Sequence, residues 1–354
     1  MMKILTVLGA RPQFIKAAAF SRVIQRSSTI EEVIVHTGQH YDQNMSDVFF
    51  DEMDIPKPKY MLQTGGKTHG AMTGQQLEKI EEILLNEKPD LVLVYGDTNS
   101  TLAGALAAVK LHIPIAHVES GLRSFNRKMP EEINRILTDQ ISDFLFVPSL
   151  GAKENLLREG IKANNIFVVG DIMYDVALYY KEKMIKPSWF DALNLTKFVL
   201  CTIHRAENTD DITKLTNILK GLELSQKDII LPLHPRTVGK IKQYGLTIPS
   251  NIRVVDPTGY LEMVWLEVHS DFIVTDSGGV QKEAYFHNKL CVTLREETEW
   301  VELVNNGYNV LVGSNADLIH SSLVNESPNK ISIKNIYGNG DTAENIVKVL
   351  EMKQ

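Results

Sequence analysis

The chain is poor in the residues and patterns that would send it to several large functional classes. Of its 354 residues only two are cysteines, Cys201 and Cys291. Both fall in apolar, strand-like runs and read as buried core thiols of a reducing compartment, not as a disulfide framework. No uninterrupted apolar stretch approaches about 18 residues, so no membrane span or membrane partner is expected. The short apolar run Ile4–Leu8 leads straight into Arg11-Pro12 with no small-residue cleavage site, which does not fit a secretory signal; a cytoplasmic location is the expectation. The formal net charge of -7 lacks the basic excess of a polynucleotide binder, so no nucleic-acid partner is expected, although one local basic pocket for a small phosphorylated ligand stays open. A Gly-x-Gly-x-x-Gly fingerprint, a Gly-x-Ser-x-Gly elbow and a Cys/His nucleophile pair are all missing, leaving NAD binding and acyl transfer unsupported. His36 and His40 have suggestive spacing but fall at a strand end instead of on one helical face, so no metal is expected. No internal repeat or low-complexity segment stands out.

What is present is an alternation of apolar strands and amphipathic helices, in a chain long enough for two domains. Strands are expected at Ile4–Leu8, Val33–His36, Leu91–Val94, Ile113–Val118, Phe144–Val147 and Ile166–Val169, with helices between them. The rhythm breaks in the Lys- and Pro-containing stretch Tyr180–Trp189, a linker candidate. It resumes with strands Phe198–Ile203, Ile229–Leu233, Arg253–Val255, Phe272–Val274 and Leu290–Thr293, and the chain closes on a helix at Thr342–Met352. Strands and helices at this spacing imply the α/β class, as two doubly wound Rossmann-like domains with a cleft between the carboxyl ends of their strands.

Chemistry-bearing residues gather where strands end. Gly9-Ala-Arg-Pro-Gln-Phe-Ile-Lys16 follows the first strand: a tight turn, free amides at a helix start, the Arg11 fork and Lys16 one turn on suit an anion, or form a plain turn with two solvated cations. Phe272-Ile-Val-Thr-Asp-Ser-Gly-Gly-Val-Gln-Lys-Glu283 is strand, Gly-rich turn and helix; Ser277, Gly278 and Gly279 could cradle a pyrophosphate and Glu283 could meet a ribose diol. His204, Arg205 and Glu207 leave another strand end, and His234 repeats that placement one strand later. Between Val94 and Arg135 stand three carboxylates. Asp97 could act chemically or merely N-cap the helix that follows. Glu119 lies in a Gly-containing loop where no cap is needed, which makes it the strongest of the three. Glu131 could act chemically or serve only the helix dipole, and Arg135, four residues on, shares its face and could pair with it. Three acids together with several cations are harder to dismiss as structural than any one alone.

These motifs resemble the non-hydrolysing UDP-N-acetylglucosamine 2-epimerase family. The resemblance is carried by residues 9–16, Tyr-Gly-Asp-Thr (95–98), His-Val-Glu-Ser-Gly-Leu-Arg-Ser (117–124) and Pro-Glu-Glu-Ile-Asn-Arg (130–135). It continues in Gly-Asp-Ile-Met-Tyr-Asp (170–175), Thr-Ile-His-Arg-Ala-Glu-Asn (202–208), residues 275–283 and Arg-Glu-Glu-Thr-Glu-Trp (295–300). It implies a glycosyltransferase-B-like fold, with an N-terminal domain 1–180 rejoined by a C-terminal helix at 341–354 and a UDP-binding domain 181–340. It also implies that Arg11, Ser277, Gly278 and Glu283 hold UDP while Asp97, Glu119, Glu131 and His204 act on the sugar. The implied reaction interconverts UDP-GlcNAc and UDP-ManNAc by loss of UDP, a 2-acetamidoglycal and re-addition, with no redox cofactor or metal, in a homodimer serving surface-polysaccharide synthesis. A glycosyltransferase on the same fold is the alternative from another class. Departures from many bacterial members are Ala10 and Gln13 in the first motif, Lys282 before Glu283, and the loop 65–74. That loop looks closer to the subgroup acting on UDP-2,3-diacetamido-2,3-dideoxyglucuronate. Some members bind a second, activating UDP-sugar, whose contacts Gln39, His40 and Gln43 partly match.

Overall fold

The computed structural model describes residues 1–39, 50, 54–233, 235–325 and 335–352. The chain divides into two compact units, Met1–Val176 with Asn335–Gln354, and Ala177–Lys334. The division falls inside the helix Ile172–Lys181, upstream of the stretch expected as a linker, and Tyr180 is fully buried, edge-on to Tyr260. The class is α/β, as expected.

The first unit holds seven parallel strands: β1 (Met2–Leu8), β2 (Ile30–His36), β3 (Tyr60–Met61), β4 (Leu91–Tyr95), β5 (Ile115–Val118), β6 (Phe144–Val147) and β7 (Ile166–Val168), in the order β3-β2-β1-β4-β5-β6-β7. The strands are short continuous apolar runs because both faces of such a sheet are covered by helices. Leu5, Val7, Val33, Val35, Val92 and Val94 form one core with Ile80, Ile83 and Leu84 of the helix His69–Glu87 and the alanines of Asn99–Lys110. The closing helix Thr342–Met352 packs against Arg11–Ile24, and Asp175 caps it by accepting from the backbone N–H of Thr342 (3.0 Å) and Ala343 (2.8 Å).

The second unit holds six parallel strands: β8 (Val199–Thr202), β9 (Ile229–Pro232), β10 (Ile252–Val255), β11 (Phe272–Thr275), β12 (Leu290–Thr293) and β13 (Asn309–Leu311), in the order β10-β9-β8-β11-β12-β13. Alternate residues feed two cores: Cys201 faces the helices Ile212–Leu224 and Ala316–Asn325, and Cys291 faces the layer of Leu266, Ala284 and Phe190. Both thiols are free and buried, and burial pushes both thiol pKa values up, so they behave as small apolar groups.

In each sheet the strand order reverses once, between β1 and β4 in the first and between β8 and β11 in the second. Open α/β sheets bind ligands outside the carboxyl ends of the strands at that switch point. The motifs singled out from the sequence lie there or on the adjoining strand ends.

Candidate functional site

At the first switch point the loops after β1, β4 and β5 meet the start of the helix Pro130–Ile141. The segments after β1 and β4 and the start of that helix border a cavity of about 310 Å³ whose lining includes Gln13, Lys16, His69, Asp97, Asn99 and Glu131. Asp97 does not cap the following helix. Thr98 does, its hydroxyl accepting from the Thr101 N–H at 3.2 Å, so the capping role allowed for Asp97 is overturned and its carboxylate is left for other work. It meets Arg135 in an ion pair, and the same guanidinium donates to Glu132 Oε2 at 2.9 Å. The pairing of Arg135 with Glu131 is therefore corrected: Glu132 lies beneath, buried, and accepts from the N–H groups of Ser124 (3.0 Å) and Phe125 (2.9 Å). Glu131 is exposed on the cavity wall with no ion pair among the described residues.

Glu119 is buried and bound to Lys16. Its backbone has φ +68°, a left-handed conformation costly for a residue with a Cβ. Gly96, facing it, has φ +61°, and a Cβ there would sit 3.5 Å from Glu119 Oε2. Gln13 is structural in this chain. Its Oε1 accepts from the N–H of Gly9 (2.8 Å) and Ala10 (3.1 Å), while Nε2 donates to the carbonyl of Tyr95 (2.6 Å), joining the β1 and β4 loops. Arg11 is exposed on the first turn of its helix. His36 is buried, and burial lowers its pKa to about 4, leaving a neutral ring.

The second switch point is organised by Asp276, a residue the sequence reading passed over as part of a turn. It is fully buried and accepts from the N–H groups of His204 (3.1 Å) and Arg205 (3.0 Å) and from Asn208 Nδ2 (3.1 Å). His204 Nδ1 stands 3.2 Å from its Oδ1, with the His204 side chain half exposed. Beside it Ser277 caps the helix Gly278–Phe286, accepting from the Val280 N–H at 3.4 Å. At Gly278 a Cβ would lie 2.6 Å from Glu299 Oε1, so that carboxylate would have to shift to admit one. Glu299 is held by Arg295 Nη1 at 2.9 Å. Burial opposes its ionisation, but the Arg295 and Arg205 charges and nearby hydrogen bonds outweigh that and hold its pKa down. Arg295 and Glu299 both belong to the motif Arg-Glu-Glu-Thr-Glu-Trp at 295–300, whose spacing alone does not point to this pairing. Burial raises the Glu283 pKa to about 7, against the opposing Lys282 charge and a 3.5 Å contact from the Tyr260 hydroxyl. Lys282 is buried with its ammonium 4.3 Å above the Trp300 ring. Gly279 is exposed at the same helix start. His40, Gln43 and His234 lie outside the described residues.

One edge thus offers paired acids and cations around a cavity, and the other a capped helix start with arginines nearby, a setting for an anion. The family model for UDP-N-acetylglucosamine 2-epimerase matches residues 22–351. The chain belongs to that family. Its relatives include the UDP-2,3-diacetamido-2,3-dideoxy-D-glucuronate 2-epimerase of Pseudomonas aeruginosa, 54% identical over 99% of both chains. They also include the UDP-N-acetylglucosamine 2-epimerase of Methanocaldococcus jannaschii, 46% identical over 99% of both. The crystal structure of the latter in complex with UDP-GlcNAc and UDP matches with a TM-score of 0.85 over 99% of this chain and 100% of that one. The Neisseria meningitidis UDP-GlcNAc 2-epimerase bound to UDP-GlcNAc matches with a TM-score of 0.85 at 33% identity, covering 100% of both chains. The glycosyltransferase-B-like fold class is that of these UDP-N-acetylglucosamine 2-epimerases, which are isomerases. For this member of the family, the described residues include no group of three or more His, Cys, Asp or Glu able to hold a metal ion, and no helix long and apolar enough to cross a membrane.

Proposed function

We propose that this chain is a non-hydrolysing 2-epimerase of a UDP-activated 2-acetamido sugar, working in the cytoplasm as a homodimer that supplies polysaccharide precursors. The single observation that carries the reading is the first switch point, where Asp97, Glu131 and Lys16 line one cavity, Lys16 is bound to Glu119 and Arg135 pairs with Asp97.

The hydrogen on carbon 2 is not acidic by itself. Breaking the bond from carbon 1 to the diphosphate oxygen builds positive charge on carbon 1 and acidifies that neighbour. A carboxylate takes the proton, the electron pair of the C–H bond becomes the ring double bond, and UDP leaves with the electrons of the C–O bond. Re-protonation from the opposite face and return of UDP give the 2-epimer. The protein must therefore stabilise the departing diphosphate, supply an acid and a base near carbon 2, and keep water out. In this reading Arg11, Arg205, Ser277, Gly278 and Gly279 hold the diphosphate and Glu283 the ribose, with His234 as a further contact. Asp97, Glu119, Glu131 and His204 face the sugar.

Two sugars fit: UDP-GlcNAc, converted to UDP-ManNAc, and the 2,3-diacetamido uronate. Supporting the uronate are the 54% identity to the P. aeruginosa enzyme and the altered loop 65–74, which contributes His69 and Met72 to the cavity wall. A second, activating UDP-sugar is not part of this proposal. The deciding experiment is proton NMR with each sugar in deuterated water without acceptor. Deuterium entering carbon 2 together with a new epimer is expected. Release of free sugar would mean a hydrolase, and turnover only when an acceptor is added would mean a glycosyltransferase.

A further inference from the structure

His117 is an ionisable residue inside an apolar run, Ile115-Ala-His-Val118, on a strand covered on both faces. Its side chain is fully buried, where an imidazole is costly unless both nitrogens are satisfied. Both are. Nε2 lies 2.7 Å from the carbonyl oxygen of Gly96, which can only accept, so Nε2 donates. Nδ1 lies 2.7 Å from Asp139 Oδ1. Asp139 also accepts from the Gly121 N–H at 3.1 Å and meets Arg123 Nη1 at 2.7 Å, so it presents a carboxylate to the ring, and Nδ1 donates as well. Arg123 in turn forks onto Glu159, with contacts of 2.8 and 2.6 Å, so the network runs from the buried ring out to an exposed carboxylate.

The network spans the elements that carry the three carboxylates. Gly96 directly precedes Asp97, His117 and Gly121 bracket Glu119, and Asp139 is on the helix that begins at Pro130 and carries Glu131. Gly96 is held from both sides, since its N–H donates to the Val118 carbonyl at 3.0 Å while its own carbonyl accepts from His117 Nε2. The held glycine is the left-handed residue against which the Glu119 carboxylate packs.

We propose that His117 is a positioning residue of the epimerisation: its Nε2 donor to Gly96, on a ring that Asp139 holds in place, sets the spacing between Asp97, Glu119 and Glu131. The proposal rests on the epimerase reading. It makes the imidazole act through the backbone of the acids, without touching the sugar.

The test uses two variants that each keep one donor. An asparagine nitrogen can reach the place of Nδ1, so His117→Asn keeps Asp139 and drops Gly96; a glutamine nitrogen can reach the place of Nε2, so His117→Gln does the reverse. Misplacing a reacting group by about 1 Å costs on the order of 100-fold, so kcat and carbon-2 deuterium exchange should fall about 100-fold in His117→Asn. KM and UDP affinity should move by less than about threefold, and His117→Gln should recover about fivefold or more of kcat. A kcat within about threefold of wild type in His117→Asn, a loss shared equally by UDP affinity, or a glutamine no better than the asparagine would overturn the proposal. Should both variants fail to fold, nitrogen NMR of the wild type decides: two protonated, hydrogen-bonded ring nitrogens support it, and one bare nitrogen sinks it. No carbon-2 exchange by the wild type itself, with either sugar, removes the epimerase reading and the assignment with it.

Discussion

The two units repeat one construction and fill it with opposite chemistry. Each has a parallel sheet whose order reverses once, and each places polar residues on the carboxyl ends beside that reversal. In the first unit those residues are acids held by cations: Glu119 by Lys16, and Asp97 by Arg135. In the second the acid is buried and structural, Asp276, and what faces outward is His204, Arg205 and a capped helix start. A strand-end scaffold fixes where groups stand, while the side chains on it decide whether the edge handles protons or anions. The comparison teaches that an acid's position at a strand end says little until its partners are known. Asp276 is buried and accepts from two backbone N–H groups and an amide of the segment that follows β8, whereas Glu131 is exposed with no partner among the described residues.

The sharpest way to break this contrast is to remove one charge from the first edge. Glu119→Gln should leave UDP binding intact and lower carbon-2 deuterium exchange by about 10²- to 10⁴-fold, the range for a proton-transfer group. Calorimetry with UDP and exchange by NMR measure the two halves separately. Unchanged exchange would take Glu119 out of the mechanism. Next in size is Arg135→Lys, which keeps the charge but loses the fork that spans Asp97 and Glu132. A fall in kcat of about tenfold with little change in UDP affinity is expected, because one bond of the pair is lost while the acids remain.

The second edge is probed by Gly278→Ala. The added Cβ would press on Glu299 Oε1, and that carboxylate must shift with Arg295. If the diphosphate rests on this helix start, losing its close backbone approach should weaken UDP by about 10-fold or more, the worth of one charge-assisted hydrogen bond. Equal UDP affinity in wild type and variant would move the diphosphate elsewhere.

Much of the fold was legible because buried parallel strands leave continuous apolar runs. Phe144–Val147 and Leu290–Thr293 were read at their observed bounds, and most other strands fell within a residue or two. What escaped were edges: β3 has two residues and β13 three, too short for any periodicity. The site was legible as residue types and positions but not as pairings. Arg135 four residues after Glu131 satisfies the helical rule for a pair, yet the side chain turns to Asp97, a partner brought in by the neighbouring strand. Asp97 before a helix satisfies the capping rule, yet the next residue takes the role. Nothing local in Ile-Ala-His-Val points from His117 to a carbonyl 21 positions upstream. Sequence spacing reports contacts within one element; these are contacts between elements.

The two units also differ in how the chain assembles them, and here the smallest effect is expected. The first is discontinuous, closed by Thr342–Met352, whose opening N–H groups are taken by Asp175. Burial raises the Asp175 pKa from 3.8 to about 6, against the hydrogen bonds that lower it. A carboxyl raised in the folded state binds more protons there than in the unfolded chain between those two values. Its contribution to stability is therefore complete below about 4, falls as pH rises to about 6, and is flat beyond. The substitution Asp175→Asn would remove the titration while keeping an acceptor. The melting temperature of wild type relative to that variant should thus drop across pH 4 to 6 by a few degrees. A difference that is constant across that window would show that Asp175 ionises as freely folded as unfolded, and that the returning helix is held without regard to its charge.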